Sequence, residues 1–406
     1  MSKTKVSSHT VPFFKASIGK EEEQAVLDVL RSGWLTTGPR SVEFERLFCE
    51  YTGARHAVAL SSCTAALHLA LEVLDLHPQD EIITTPFTFS ATASEILHAG
   101  AKIRFVDVNP ETGNIDELKI REAISERTRA ILPVHFAGNP CAMDTILELA
   151  LEYDLRVIED AAHALESRFD GQKVGAIGDF TCFSFYATKN ITTAEGGMLT
   201  CDNDVLAEKI RMLSLHGMSR DAWKRYLPAG TGNDDQPDYY QIMHRGYKYN
   251  LSDLQAALGI VQLKKADLMW QKRKQIVELY RSLLADVGEI EFFSQDERVT
   301  HGNHLFAVKL NTEQLSISRN RFVKMLKQAG IGCSIHFISL HLHPYYKEKY
   351  RFEDSDFPCA ADLSNRVVTL PLFPDMNEFD VRYVADTVKS IINEHKISKL
   401  VSVNCI

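Results

Sequence analysis

The sequence predicts an α/β protein built on a mainly parallel sheet covered by helices on both faces. Three observations carry this reading. Short β-branched runs recur through the first half of the 406-residue chain. These runs are apolar throughout rather than at every second residue, as strands buried on both faces must be. Amphipathic stretches of helical period fall between the earlier runs, where the crossovers that join parallel strands belong.

Taken in order, the runs are HAVAL (56–60), EIITT (81–85), KIRFVDV (102–108), AILPVH (130–135), LRVIED (155–160), DFTCFSF (179–185) and GMLTC (197–201). TAALHLALEVLDL (64–76) and TILELALEYD (145–154) repeat apolar residues at helical spacing. The last two runs lie so close together that an antiparallel pairing is open to one of them. VLAEKIRMLSLHG reads as a helix, and DAWKRYLPAGTGNDDQPDYYQ, rich in Gly, Pro and Asp, as a loop. Residues 251–287 are strongly helical, with Ser252 or Asp253 as N-cap. A second, smaller α/β pattern follows: HLFAVKL as a strand, SRNRFVKMLKQAG as a helix, then CSIHF. EFDVRYVADTVKSIINEH is a closing helix.

Composition narrows the function. Lys and Arg number 45 against 54 Asp and Glu, a net charge of −9. That disfavours a general nucleic-acid binder, which needs a basic footprint, while leaving room for a local phosphate pocket. The N-terminal residues hold no apolar segment of signal-peptide length, and no uninterrupted apolar run of about 18 residues occurs, so no membrane span is expected. The eight cysteines are scattered without a CxxC pair, which fits reduced thiols in a cytoplasmic enzyme. Neither GxxxxGK[ST] nor an early GxGxxG is present, which disfavours a P-loop kinase and a dinucleotide dehydrogenase.

Several positions carry chemistry. Lys189 lies in FSFYATKNITTAEGG, after an apolar strand and before a Gly pair. By position it fits a solvated charge, or an amine in a desolvated site that forms a Schiff base with a carbonyl cofactor. Asp160 ends LRVIED, at the strand edge where parallel sheets bind ligands. It fits a helix N-cap, or the partner that keeps a pyridine nitrogen protonated. SSCTAALHLAL (61–71) opens a helix through hydroxyl residues and so fits an ordinary cap or a phosphate site. Phe89 follows another strand end and fits core or a stacking ring. His163 stands three residues after Asp160, on one face of any helix begun there. SIHFISLHLHP holds His336, His341 and His343, but no fourth ligand of suitable spacing stands out, so no metal is expected.

SGWLTTGP, SSCTAALHLAL, PFTFSAT, VIEDAAHA, FSFYATKNITTAEGG, LHGMSRDAW and GYKYNLSDLQAALG occur in this order. Together they resemble the DegT/DnrJ/EryC1/StrS family of pyridoxal-phosphate (PLP) sugar aminotransferases over nearly the whole chain. The resemblance implies a fold-type-I, aspartate-aminotransferase-like enzyme acting as a homodimer with shared active sites. It divides the chain into an N-terminal arm and large PLP-binding domain (1–265) and a small C-terminal domain (266–406). Lys189 matches the family's Schiff-base lysine, and Asp160 the carboxylate at the pyridine nitrogen. Ser184, Cys63 and Thr64 match the phosphate site, although Gly or Ala often stands where Cys63 is. Phe89 matches the stacking ring and His163 a neighbour of the cofactor. Lys248 and Asn250, in GYKYN, match a segment that reaches the partner's phosphate; many relatives carry Asn-Tyr-Arg there. Trp34, Thr36 and Thr37 are expected at the active-site rim, and His336 either near the substrate or packed at a domain junction. YKYN, ATKNITTAEGG and PLFPDM are most similar to the branch acting on UDP-linked 4-keto sugars. The implied reaction moves the amino group of L-glutamate to a nucleotide-linked keto-sugar. A PLP-dependent sugar dehydratase and a non-catalytic PLP-binding regulator are the alternatives. Lys189, which dehydratases replace by His, argues against the first, and the intact Asp160, Ser184 and Lys189 set against the second.

Overall fold

The computed structural model describes residues 9–219 and 241–397, so the expected loop DAWKRYLPAGTGNDDQPDYYQ lies, but for its last residue, outside the described residues. The N-terminal strands are β1 (His56–Leu60), β2 (Glu81–Thr84), β3 (Lys102–Phe105), β4 (Thr128–Leu132), β5 (Arg156–Asp160), the short β6 (Arg168–Phe169) and β7 (Gln172–Lys173), β8 (Phe180–Ser184) and β9 (Gly197–Cys201). The main sheet runs β1-β9-β8-β5-β4-β2-β3. β9 is antiparallel to both β1 and β8, which settles the pairing of the two closely spaced runs. The remaining neighbours are parallel. β4 ends at Leu132, short of the expected His135, although Val134 still bridges Asp160 of β5, with Asp160 N–H donating to Pro133 O at 2.9 Å and His135 N–H to Asp160 O at 3.1 Å.

This topology puts the carboxyl ends of β1, β2, β4, β5 and β8 on one edge, and the start of antiparallel β9 beside them. Each chain exit there feeds a polar segment: Ser61–Ser62 after β1, Asp160 at the end of β5, Ser184 at the end of β8. The helix Cys63–Glu72 begins at that edge because the Ser62 side chain accepts from Ala65 N–H. Seven consecutive residues from Ala65 to Leu71 are buried, so this helix is covered on all sides.

The second pattern forms a small antiparallel sheet from β10 (Ile290–Phe292), β12 (Phe306–Leu310) and β13 (Val367–Leu370), ordered β10-β12-β13. Between the first two lies β11 (Val299–Thr300), which pairs with β6 instead. CSIHF does not become a strand: only Ser334 bridges the sheet, at Thr369. The helices Arg319–Gln328 and Glu378–His395 pack on this sheet through Phe322, Leu326, Val384 and Val388.

The helix Asp253–Leu284 joins the two parts, and residues 265 and 266 fall inside it. Its first half, with Ala256, Ile260 and Met269, shares a core with Phe44, Phe48, Phe183 and Phe185. Its last turns, with Ile276, Tyr280 and Leu284, belong to the core of the small sheet. Ser252 is its N-cap, with Gln255 completing a capping box. Asp253 does a different task. Its carboxylate accepts from Gly38 N–H, Ser41 N–H and the Ser41 hydroxyl at 2.8, 2.9 and 2.7 Å, and so caps the helix Pro39–Thr52 from afar.

Candidate active site

Seven of the nine expected site residues line one cavity of about 400 Å³: Cys63, Thr64, Phe89, Asp160, His163, Ser184 and Lys189. They come from four loops that leave the sheet at its shared edge. Lys189 sits in the turn after β8. Its amine is enclosed by protein while the side chain keeps an opening to the cavity. Burial lowers its pKa to about 8, against the opposing pull of Cys63 and Asp160.

Asp160 is buried at the cavity floor. One carboxylate oxygen accepts from the Thr92 hydroxyl at 2.8 Å, the other from Ala162 N–H at 3.2 Å. Burial pushes its pKa up, while these bonds and the nearby Lys189 and His135 hold it down. Each oxygen keeps lone-pair capacity for a further donor. A pyridinium N–H is such a donor, and it would bring the positive charge that burial makes desirable.

At another part of the cavity wall the start of the helix Cys63–Glu72 offers backbone donors. Cys63 and Thr64 N–H are first-turn donors that no helix carbonyl can take. The Cys63 side chain turns away into the core, where its Sγ–H donates to Cys182 O at 3.5 Å. Burial raises the Cys63 pKa well above its ordinary value, which keeps the thiol neutral. β9 passes this turn at very close range: a Cβ on Gly197 would sit 2.3 Å from the Ser62 carbonyl carbon and 2.5 Å from Cys63 N. Ser184 Oγ accepts only a long contact, 3.4 Å, from Tyr186 N–H.

Phe89 is 66% exposed and forms the free wall of the cavity, a costly place for a bare aromatic ring and a natural one for a stacking partner. His163 is buried, with its Nδ1 unpartnered. It packs against His304 at 4.4 Å between ring centres and lies parallel to Phe337. His304 and His336 also line the cavity. Burial, with the charge of Lys189 adding to it, pulls the pKa of His163 and His304 well below the ordinary value and that of His336 to about 4. All three rings are therefore neutral at pH 7.

The residues present fit PLP: an enclosed lysine, a buried carboxylate with spare acceptors, free helix-start donors behind an obligatory glycine, an exposed ring and an unpartnered imidazole nitrogen. Lys248 and Asn250 stand apart. Lys248 Nζ donates to Asn250 Oδ1 at 2.6 Å, Asn250 Nδ2 donates to Thr37 Oγ1 at 2.6 Å, and neither lines this cavity. Trp34, Thr36 and Thr37 are outside it as well. Trp34 Nε1 donates to Thr37 O, and Thr37 Oγ1 to Leu251 O, so within one chain they brace the 250–253 segment. His336 reaches the cavity, but His341 is buried against Phe357 and His343 lines a neighbouring cavity, so the three diverge.

The sequence reading missed several members of the site. Thr92, which holds Asp160, was marked only by its position one helical turn after Thr88, whose hydroxyl it contacts. His304 and the arm residues Phe13 and Phe14 carried no local signal, because they arrive from distant parts of the chain. Beneath Lys189, the side chain of the next residue, Asn190, is hydrogen-bonded to Glu166, and Arg273 Nη2 donates to Glu166 Oε1 at 2.6 Å. Arg273 Nη1 also reaches Asn190 O at 3.3 Å, and all three residues are buried.

Comparison with known proteins agrees with this geometry. The family model described as DegT/DnrJ/EryC1/StrS aminotransferase matches residues 16–389. The chain is 45% identical to the spore coat polysaccharide biosynthesis protein SpsC of Bacillus subtilis, over 95% of this chain and 98% of that one. Among solved structures, the Streptococcus pneumoniae protein Spr1654 in its PLP form superposes with a TM-score of 0.85 at 33% identity, covering 95% of this chain and 99% of that one. Helicobacter pylori PseC, an aminotransferase involved in pseudoaminic acid biosynthesis, superposes with a TM-score of 0.88 at 29% identity, covering 95% and 100%. A fold-type-I architecture, a PLP-shaped site and a family match over most of the chain lead to one conclusion: this chain belongs to the DegT/DnrJ/EryC1/StrS aminotransferase family and is a PLP-dependent sugar aminotransferase.

Proposed function

We propose that the enzyme moves the amino group of L-glutamate to a nucleotide-linked keto-sugar, a UDP-4-keto sugar, giving a 4-amino sugar for surface polysaccharide, lipid or glycan biosynthesis. The observation that carries this reading is the meeting of Lys189, Asp160 and the Ser62–Thr64 helix start in one cavity. The names of SpsC and PseC, tied to polysaccharide and pseudoaminic acid biosynthesis, support a sugar acceptor and a glycan product. The likeness of YKYN, ATKNITTAEGG and PLFPDM to the UDP-4-keto branch supports the carrier and the position aminated.

PLP, when bound, supplies an electron sink for proton loss and gain at the amine-bearing carbon. The chain's own residues do the rest. In this reading Asp160 keeps the pyridine nitrogen protonated, Phe89 covers one ring face, and His163 packs beside the ring. Cys63 and Thr64 N–H with the Ser184 hydroxyl hold the phosphate. Lys189 anchors the cofactor in the resting enzyme. Once displaced by substrate, its amine takes a proton from one carbon and returns it to another.

In the same proposal the enzyme is a cytoplasmic homodimer with shared active sites, and residues 1–265 and 266–406 are its large and small domains. Lys248 and Asn250, outside the cavity of their own chain, serve the phosphate of the partner. The direct test supplies L-glutamate and a UDP-4-keto sugar and looks for 2-oxoglutarate and a UDP-4-amino sugar in equal amounts. A protein that refuses every UDP-keto-sugar and accepts a dTDP or GDP analogue would overturn the carrier.

A further inference from the structure

Behind Asp160 lies a pair of titratable residues that solvent does not reach: His135 and Glu159 are both 0% exposed. His135 forms part of the wall of the Lys189 cavity, and Glu159 precedes Asp160 on β5. His135 Nε2 and Glu159 Oε2 are 2.9 Å apart. The direction of this bond follows from the other ring nitrogen. Cys141 N–H donates to His135 Nδ1 at 3.1 Å, so Nδ1 offers a lone pair and the ring proton is on Nε2. His135 Nε2–H therefore donates to Glu159. Glu159 Oε1 takes two further donors, Gly178 N–H at 2.8 Å and the Thr181 hydroxyl at 2.7 Å. Desolvating such a carboxylate is costly, and an apolar pair of the same volume would fill this space without that cost.

The pair acts on Asp160 through the chain. Asp160 N–H donates to Pro133 O, and His135 N–H donates to Asp160 O, so residues 133–135 grip both main-chain polar groups of Asp160. The His135–Glu159 bond ties the last residue of that grip to the residue before Asp160. A ring of contacts thus closes around the Asp160 backbone, and the Asp160 carboxylate is left facing the cavity.

We infer that Glu159 and His135 are positioning residues: they fix the place of the Asp160 carboxylate on the cavity floor, and through it the hold on the pyridine nitrogen. This rests on the reading of Asp160 as the partner of that nitrogen. The main test is Glu159→Gln. Its amide oxygen still accepts from Gly178 and Thr181, so the fold is kept, as thermal unfolding of the PLP-free protein would verify. Its amide NH₂ faces His135 Nε2–H, donor against donor, and moving the ring proton to Nδ1 only passes the conflict to Cys141 N–H. Titrating the PLP-free variant with PLP should show affinity about tenfold weaker. In the loaded enzyme kcat should fall about tenfold or more while KM for the amino donor stays within about twofold. His135→Leu should behave alike, and His135→Gln, which keeps an N–H for Glu159, should recover most of the loss. Nitrogen NMR of the PLP-free wild type should find His135 with its proton on Nε2; a proton on Nδ1 would overturn the inference even if the variants failed to fold. Wild-type PLP affinity and kcat in both Glu159→Gln and His135→Leu would also overturn it. Asp160→Asn separates the two readings. Loss of PLP affinity there, with none in the Glu159 and His135 variants, keeps Asp160 in its role and removes the positioning pair, whereas wild-type behaviour of Asp160→Asn removes both.

Discussion

Burial outweighs the pull of Asp160 and leaves the Lys189 amine at about 8. At pH 7 about a tenth of it is then free base, against well under a thousandth for an exposed lysine. The sign of the effect follows: raising the pH through about 8 increases the neutral, nucleophilic form. The cofactor-free protein should therefore take up PLP faster as pH rises, with a midpoint near 8; a midpoint above about 10 would mean an ordinary solvated amine. Lys189→Ala should lose the yellow colour of the PLP-loaded protein and fall at least about 10³-fold in steady-state transamination. Retained multiple turnover in that variant would remove its central role. At this scale the sequence was most legible where chemistry demands one residue type after a strand, as at Asp160 and Lys189. It was least legible at His304, Phe13 and Phe14, which reach the cavity only through tertiary folding.

Among elements, the helix Asp253–Leu284 ties the site together. From its fifth to sixth turn Arg273 reaches under the Lys189 turn and meets Glu166 and Asn190 in a buried network. Removing one charge leaves the other buried without a counter-ion, so Arg273→Met should cost about 3–5 kcal/mol in denaturant unfolding. The double change Glu166→Leu with Arg273→Met should recover a large part of that loss. Equal stability of the single and double variants would show that the ion pair carries no coupling. Strands were readable because doubly buried runs are apolar throughout, and the antiparallel β9 because GMLTC follows so soon after DFTCFSF. The sequence assigns CSIHF no element, and its backbone makes one bridge at Ser334 before His336 reaches the cavity. Asp253 looked like a local cap because its long-range acceptor role, on a helix more than two hundred residues earlier, has no local signature.

For the molecule as a whole, the sheet gathers the carboxyl ends of six parallel strands at one edge, and the site is built from what five of them carry. Whether that site is complete in one chain is decided by Lys248 and Asn250, which lie outside the cavity. If two copies share sites, a one-to-one mixture of refolded Lys189→Ala and Asn250→Ala chains should regain about a quarter of the wild-type sites, since half the dimers are hybrids with one intact site each. No recovery would place Asn250 in the site of its own chain. The claim on which everything else depends is that one lysine-bearing cavity runs both halves of an amino transfer. The PLP-loaded protein should be yellow, lose that colour on adding L-glutamate alone, and regain it on adding a UDP-4-keto sugar, with one amino sugar formed per site. Colour that persists with glutamate, or that returns without formation of an amino sugar, would contradict it.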